Sequence, residues 1–256
     1  LFMIYASHLI DDSEFQSLLS RNSIGLESID FGVSDNLDHL PQTLDMWKRR
    51  MERLGNPSVT LHGPFLDLNP TSYDSLIQKA TWNRFSQAYQ AALSIHAEKI
   101  VFHTCRVPLV NFPQCWPERI TDFWQRFLEE HNQVPICMEN VFDEDPSLIL
   151  QVAEAVSHPM FGLCLDAAHA HCFSPVPVLE WAKMLGPHIR HVHVHDNMGD
   201  RDSHLAVGDG NLPWDALLAH IQGQSHPVTW TIENNSQKDI EKSLRFLKEH
   251  GINESL

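Results

Sequence analysis

Long apolar runs are missing from this chain of 256 residues: no stretch approaches the roughly 20 residues that a membrane-spanning helix needs. Positive charge is scarce. Lys and Arg number 18 against 33 Asp and Glu, giving a formal net charge of -15. A general binder of nucleic acid or of acidic membrane surfaces carries the opposite balance, so both partners are disfavoured. Acidic metal ligands would lower the net charge in the same way and then be neutralised by their ion. Cysteine is sparse and unpaired: Cys105, Cys115, Cys137, Cys164 and Cys172 make an odd set with no C-x-x-C. That pattern fits neither a disulfide framework nor a thiolate zinc finger and suits a reducing cytoplasm. The opening LFMIYASHLI has no Lys or Arg before its apolar run and reads as a first strand rather than a signal peptide. There is no low-complexity tract and no Gly/Ser linker. The length suits one α/β barrel spanning 1–256, with nothing left for a second domain of ordinary size.

What is present is an alternation. Short apolar, β-branched runs recur at 2–7, 24–31, 58–63, 99–104, 135–140, 161–167, 189–196 and 228–234. Between them, helical periodicity predicts helices from Asp12-Ser13 to Leu19 and over 37–54, 73–96, 117–131, 146–157, 177–185, 213–222 and 237–250. Eight strand–helix repeats predict a parallel sheet with crossover helices, closed into a single (β/α)8 TIM barrel. No G-x-G-x-x-G follows the first run, which argues against an open dinucleotide-binding sheet.

In such a barrel the C-terminal strand ends converge on one face. The third run ends in His62, the fourth in His103 and the fifth in Glu139. The sixth ends in Asp166, with His169 three residues on. The seventh carries His193, His195 and Asp196, followed by Asp202 and His204, and the eighth ends in Glu233. The first and second runs add His8, Glu27 and Asp30. Each of these alone is more readily a hydrogen-bonded structural group. Together they crowd acidic and imidazole groups into one mouth with almost no Lys or Arg, and buried carboxylates side by side cost several kcal/mol each without a cation. A divalent metal satisfies them. Nitrogen and oxygen donors without thiolate suit Zn, Mn, Co or Fe, with Mg also possible, and 17 histidines favour zinc.

Period 2 puts His191, His193 and His195 on one strand face, with His191 deeper as a hydrogen-bonded barrel filler. The seven Trp residues read as core. Phe65 is expected to pack against Leu66 or Leu68. The loop 105–117 could serve as a lid or as a contact in a homo-oligomer. Arg106 and Arg201 are the loop cations placed to meet a substrate phosphate.

The motifs HGPFLDLNP (62–70), MEN (138–140), CLDAAHAH (164–171), HVHDNMGDRDSHLAVGDG (193–210) and IENN (232–235) resemble the xylose isomerase-like TIM-barrel superfamily of sugar-phosphate isomerases/epimerases, ketose 3-epimerases and endonuclease IV-like enzymes. In the isomerase and epimerase branch, the resemblance implies one metal on Glu139, Asp166, His193 and Glu233, with Glu139 and Glu233 as catalytic acid/base partners. In the endonuclease IV branch it implies up to three ions: on His62, His103 and Glu139; on Glu139, Asp166, His193 and Glu233; and on His169, Asp202 and His204. The chain departs from both. Where ketose 3-epimerases carry a substrate-binding Arg, it has Asp202 and His204, with Arg201 nearby. Where DNA enzymes carry basic loops, it has Asp35, Asp38 and Asp45.

The leading expectation is therefore a cytoplasmic, metal-dependent isomerase or epimerase acting on a small carbohydrate: a sugar, sugar phosphate or polyol. It would stabilise an enediolate on the metal, with His8, Arg106, His195 and Arg201 as substrate contacts. The alternative is a zinc phosphoester hydrolase of the endonuclease IV type. A third reading is a non-catalytic sugar- or metal-binding barrel.

Overall fold

The computed structural model describes residues 4–252. Eight strands, β1 (Ile4–Ser7), β2 (Gly25–Ser28), β3 (Val59–His62), β4 (Ile100–His103), β5 (Ile136–Glu139), β6 (Phe161–Asp166), β7 (Ile189–Val194) and β8 (Thr229–Ile232), form a closed barrel in sequence order. Every pairing is parallel. The barrel closes through β1 and β8, with Ile4 opposite Trp230 and Ala6 opposite Ile232. The fold is thus the expected TIM barrel. Phe2 and Met3, expected in the first strand, lie outside the described residues.

Ten helices surround the sheet among the described residues: α1 (Asp12–Arg21), α2 (Ser34–Asp38), α3 (Leu40–Leu54), α4 (Ser75–Ser94), α5 (Trp116–Glu130), α6 (Pro146–Val156), α7 (Ala167–Phe173), α8 (Val178–Leu185), α9 (Trp214–Gln222) and α10 (Gln237–Glu249). Local chemistry sets several boundaries. Asp74 caps α4 through Leu76 N at 2.8 Å, Asp145 caps α6 through Ser147 N at 2.8 Å, and Ser236 caps α10 through Asp239 N at 3.2 Å. Gly55, at φ 86°, closes α3 in the left-handed region.

Two segments differ from the sequence reading. The helix expected over 37–54 is broken at His39. Pro41 has no N–H to give to Leu37 O, and that carbonyl accepts instead from Gln87 Nε2 at 3.1 Å. The segment after β6, read as a loop, is the short helix α7. Asp166 caps it, its Oδ1 accepting from His169 N at 2.7 Å.

The main core lies between sheet and helices. Phe85 stacks on Phe102 at 4.3 Å between ring centroids, and Trp124 and Phe127 complete an aromatic block at β4. Six of the seven Trp are buried, and Trp82 is half-buried under Arg126. The barrel interior is different. Strand alternation turns Ser7, Glu27, Thr60, Val101, Cys137, Cys164, His191 and Thr231 inward, and of these only Val101, Cys137 and Cys164 form an apolar cluster. Towards the N-terminal end, Gly25 leaves room for the Tyr5 ring: a Cβ there would stand 2.3 Å from it. All five cysteines are free thiols. No helix among the described residues is long and apolar enough to cross a membrane.

Candidate metal centre

Each ligand-type residue reaches the mouth because its strand ends there. His62, His103, Glu139 and Asp166 are the last residues of β3 to β6. Register places His103 opposite Glu139 and Asp166 opposite His193. Glu233 follows β8 directly. Asp202 and His204 arrive on the loop after β7. Asp196 pins that loop by accepting from Asn197 N, Gly208 N and Leu212 N at 2.9, 2.9 and 3.2 Å. His204 sits on it at φ 48°, a conformation held by its surroundings.

The side chains meet in three overlapping groups. In the first, the Nε2 atoms of His62 and His103 stand 3.4 and 3.5 Å from Glu139 Oε2 and 3.1 Å from each other. In the second, His193 Nδ1 faces Glu139 Oε1 at 3.2 Å, Glu233 Oε1 at 3.4 Å and Asp166 Oδ2 at 4.0 Å. In the third, Asp202 Oδ2 lies 3.4 Å from His169 Nε2 and 3.1 Å from His204 Nε2. All nine residues expected as ligands are therefore brought together.

The chemistry of these groups fits a divalent ion. Two donors at about 2.1 Å from one ion in tetrahedral arrangement stand about 3.4 Å apart. Most of the spacings above cluster near that value, and most are not hydrogen bonds. Glu139 Oε2 and His193 Nδ1 are fully buried with no hydrogen-bond partner among the described residues, a costly state unless something else satisfies them. The rings are also aimed. Nδ1 of His62, His169 and His204 lies 2.9, 3.0 and 2.6 Å from the carbonyls of Gly63, Asn140 and Glu233. A carbonyl only accepts, so each Nδ1 carries a hydrogen, and in the neutral ring that a metal takes each Nε2 lone pair would face the centre.

The charges in the ion-free protein reflect this crowding. Burial opposes charge on His193 and His169, but the surrounding carboxylates outweigh it and hold both well above the ordinary histidine range. Burial likewise opposes charge on His204, yet the hydrogen bond to Asp202 and the Glu233 charge raise it to about 9. His62 is also raised, by Glu139 against burial. His103 goes the other way, down to about 3, because burial and the neighbouring imidazoles His62, His169 and His193 outweigh Glu139.

The expected substrate contacts are placed unevenly. His195 lies in the centre itself: it is buried, its Nε2 is 3.0 Å from Asp166 Oδ2, and its ring stacks on His204 at 4.0 Å. His8 turns to α1, 3.2 Å from Asp12 and edge-on to Phe15. Arg106 is buried, 3.9 Å from Asp143. Arg201 is exposed on the loop after β7. Phe65, expected to pack on Leu66 or Leu68, also has a partner that was not expected. It stacks on His103 at 4.2 Å and roofs the first group, because His103 offers a flat partner at the rim.

Residues that the sequence reading left out support the ligands. Asn140 donates to Asp166 O at 2.9 Å and accepts from Asp166 N at 3.0 Å, tying β5 to β6. Asn234 donates to His204 O and Leu205 O at 3.0 and 2.8 Å. The signal was available: both Asn residues follow a ligand Glu directly.

The family model described as xylose isomerase-like TIM barrel matches residues 22–250. Among curated relatives is a probable endonuclease 4 of Mycobacterium leprae, 25% identical over 204 residues, covering 75% of this chain and 78% of that one. Two solved structures share the fold. One is described as a D-tagatose 3-epimerase-like protein (TM-score 0.81, 23% identity, 97% of this chain and 96% of that one). The other is a Thermus thermophilus protein soaked with zinc chloride (TM-score 0.78, 24% identity, 97% and 98%).

Proposed function

This chain belongs to the family of xylose isomerase-like TIM barrels, and on that footing we propose that its mouth is a multinuclear divalent-metal centre that hydrolyses a small phosphoester. One observation carries the reading. The two oxygens of Glu139 face different imidazole groups, Oε2 towards His62 and His103 and Oε1 towards His193. A carboxylate so placed could be shared between two ions, and shared in that way it would have no oxygen left for taking a proton from carbon. A single ion on Glu139, Asp166, His193 and Glu233 would leave His62, His103, His169, Asp202 and His204 without a metal to ligate, free only to orient hydroxyls or relay protons.

Zinc suits the donor set, and clustered divalent ions supply an activated water and charge neutralisation at the attacking and leaving oxygens of a phosphoryl group. His62, His103 and Glu139 would hold one ion, Glu139, Asp166, His193 and Glu233 a second, and His169, Asp202 and His204 a third. The chain's own groups do the rest. His195 gives its Nε2 hydrogen to Asp166, so its Nδ1, buried, 3.6 Å from Asp202 Oδ1 and without a hydrogen-bond partner among the described residues, would be available to take a proton within the centre. Phe65 covers His103 and keeps water from one side. The net charge of -15 and the acidic Asp35, Asp38 and Asp45 disfavour long nucleic acid and leave a small substrate.

The second reading, a single-ion isomerase or epimerase of a small carbohydrate, draws on Glu233, buried at the mouth across from Glu139, and on the epimerase-like structural neighbour. The test loads the protein with zinc or manganese, counts ions by elemental analysis, and assays small phosphomonoesters and diesters, an abasic-site duplex and a ketose panel. Two or three ions with turnover of a small phosphoester support the proposal. One ion with ketose epimerisation overturns it in favour of the second reading.

A further inference from the structure

One buried charge has no part in that chemistry. Glu27 is the inward residue of β2, a strand that supplies no ligand, and it is fully buried. Barrel interiors are ordinarily filled by apolar side chains, and an isolated buried carboxylate costs several kcal/mol. Here it is provided for on every side. Thr60 and Thr231 donate to Oε2 at 2.9 and 3.0 Å, and the Ser7 hydroxyl stands 3.4 Å from Oε1. His191 Nε2 is 3.4 Å away, but that ring is already engaged by the Thr229 and Thr231 hydroxyls at 2.6 and 2.8 Å. The remaining neighbour is His193, whose Nε2 lies 3.2 Å from Glu27 Oε1, outside hydrogen-bond geometry as placed, and has no other hydrogen-bond partner among the described residues.

Among the imidazoles expected as ligands, His193 is oriented unlike His62, His169 and His204. His62, His169 and His204 keep Nδ1 on a backbone carbonyl and turn Nε2 inward. His193 is reversed: Nδ1 faces Glu139, Glu233 and Asp166, and Nε2 points down the barrel to a carboxylate. From that inversion we propose that Glu27 is the positioning residue of the central ion: it takes the Nε2 hydrogen of His193, fixing Nδ1 as the ligand atom and strengthening it as a donor. A charged acceptor behind a ligating imidazole makes it more basic than a carbonyl does, and such partners are worth roughly ten- to hundred-fold in metal affinity. The Thr60 and Thr231 hydroxyls hold that carboxylate in place. Ser7 extends the link, since its Oγ is also 3.3 Å from Glu233 Oε1, a second ligand of the same group.

The inference rests on the metal-centre reading, and the test keeps the two apart. Zinc affinity is measured by chelator competition for the full chain and for Glu27→Gln and Thr60→Val, with thermal melts of the ion-free proteins as the folding control. Nitrogen-15 NMR of the histidine rings reads the His193 tautomer in the zinc-loaded parent. The expected result is an Nε2-protonated His193 in the parent, zinc binding weakened roughly ten- to hundred-fold in Glu27→Gln, and a smaller loss in Thr60→Val. A parent that binds no zinc overturns the metal centre itself. A parent that binds zinc with hydrogen on His193 Nδ1 overturns the role of Glu27, whether or not the variants fold. Equal zinc affinity in a folded Glu27→Gln does the same.

Discussion

Loading the centre with metal should expel protons, and the number expelled distinguishes one ion from several. In the ion-free protein the carboxylates hold His169 and His193 charged well above neutrality and raise His204 to about 9. A metal takes only the neutral ring. At pH 7, full occupation of the three groups should therefore release about three protons from these rings, and His62, also raised, adds to the count. His103, lowered to about 3, releases none. Occupation of the central group alone releases about one, from His193. Each proton released makes affinity fall about tenfold, or about 1.4 kcal/mol, per unit drop in pH while the ring stays charged. Isothermal titration with zinc in two buffers of different ionisation enthalpy gives the proton count from the difference in heat. A count near three with two or three ions bound fits the multinuclear centre. Ions bound with no proton release would refute the charge pattern described for these rings, and one proton with one ion would refute the multinuclear reading.

Two further outcomes follow from the geometry. His204 is raised in the folded ion-free protein from 6.5 to about 9, so its pairing stabilises the fold fully below pH 6.5 and is lost as pH rises through 9. That amounts to roughly 3 kcal/mol for a ring only one-quarter exposed; urea unfolding in chelator at pH 6 and pH 9 should show most of it in the parent and little in Asp202→Asn, and a flat parent profile would contradict the pairing. Gly25→Ala should destabilise the barrel by about 3 kcal/mol, because the new Cβ would stand 2.3 Å from the Tyr5 ring and 2.9 Å from Ser58 O, a carbonyl held in the sheet by Leu26 N. Chemical denaturation measures this, and a loss below about 0.5 kcal/mol would show that the ring moves freely.

The sequence by itself determined the barrel and the membership of its mouth. Eight apolar runs spaced by helical segments admit few topologies, and a parallel strand order forces all C-terminal ends to one face. His62, His103, Glu139, Asp166 and Glu233 stand at or next to those ends, so their meeting is a consequence of chain order. Tertiary structure decided what chain order does not encode. Whether His195 joins the centre or faces a substrate depends on ring rotation, and the ring lies against His204 and Asp166. Phe65 stacks on His103, from a neighbouring strand. Pro41 makes the break at His39 possible from sequence alone, but the partner of the freed Leu37 carbonyl, Gln87, lies fifty residues away. Most of all, which nitrogen of each ring faces the centre is set by the acceptor behind it, a carbonyl for His62 and a carboxylate for His193. Periodicity tells which face of a strand a side chain takes. Its rotamer and its hydrogen-bond partner belong to contacts made only when the barrel closes.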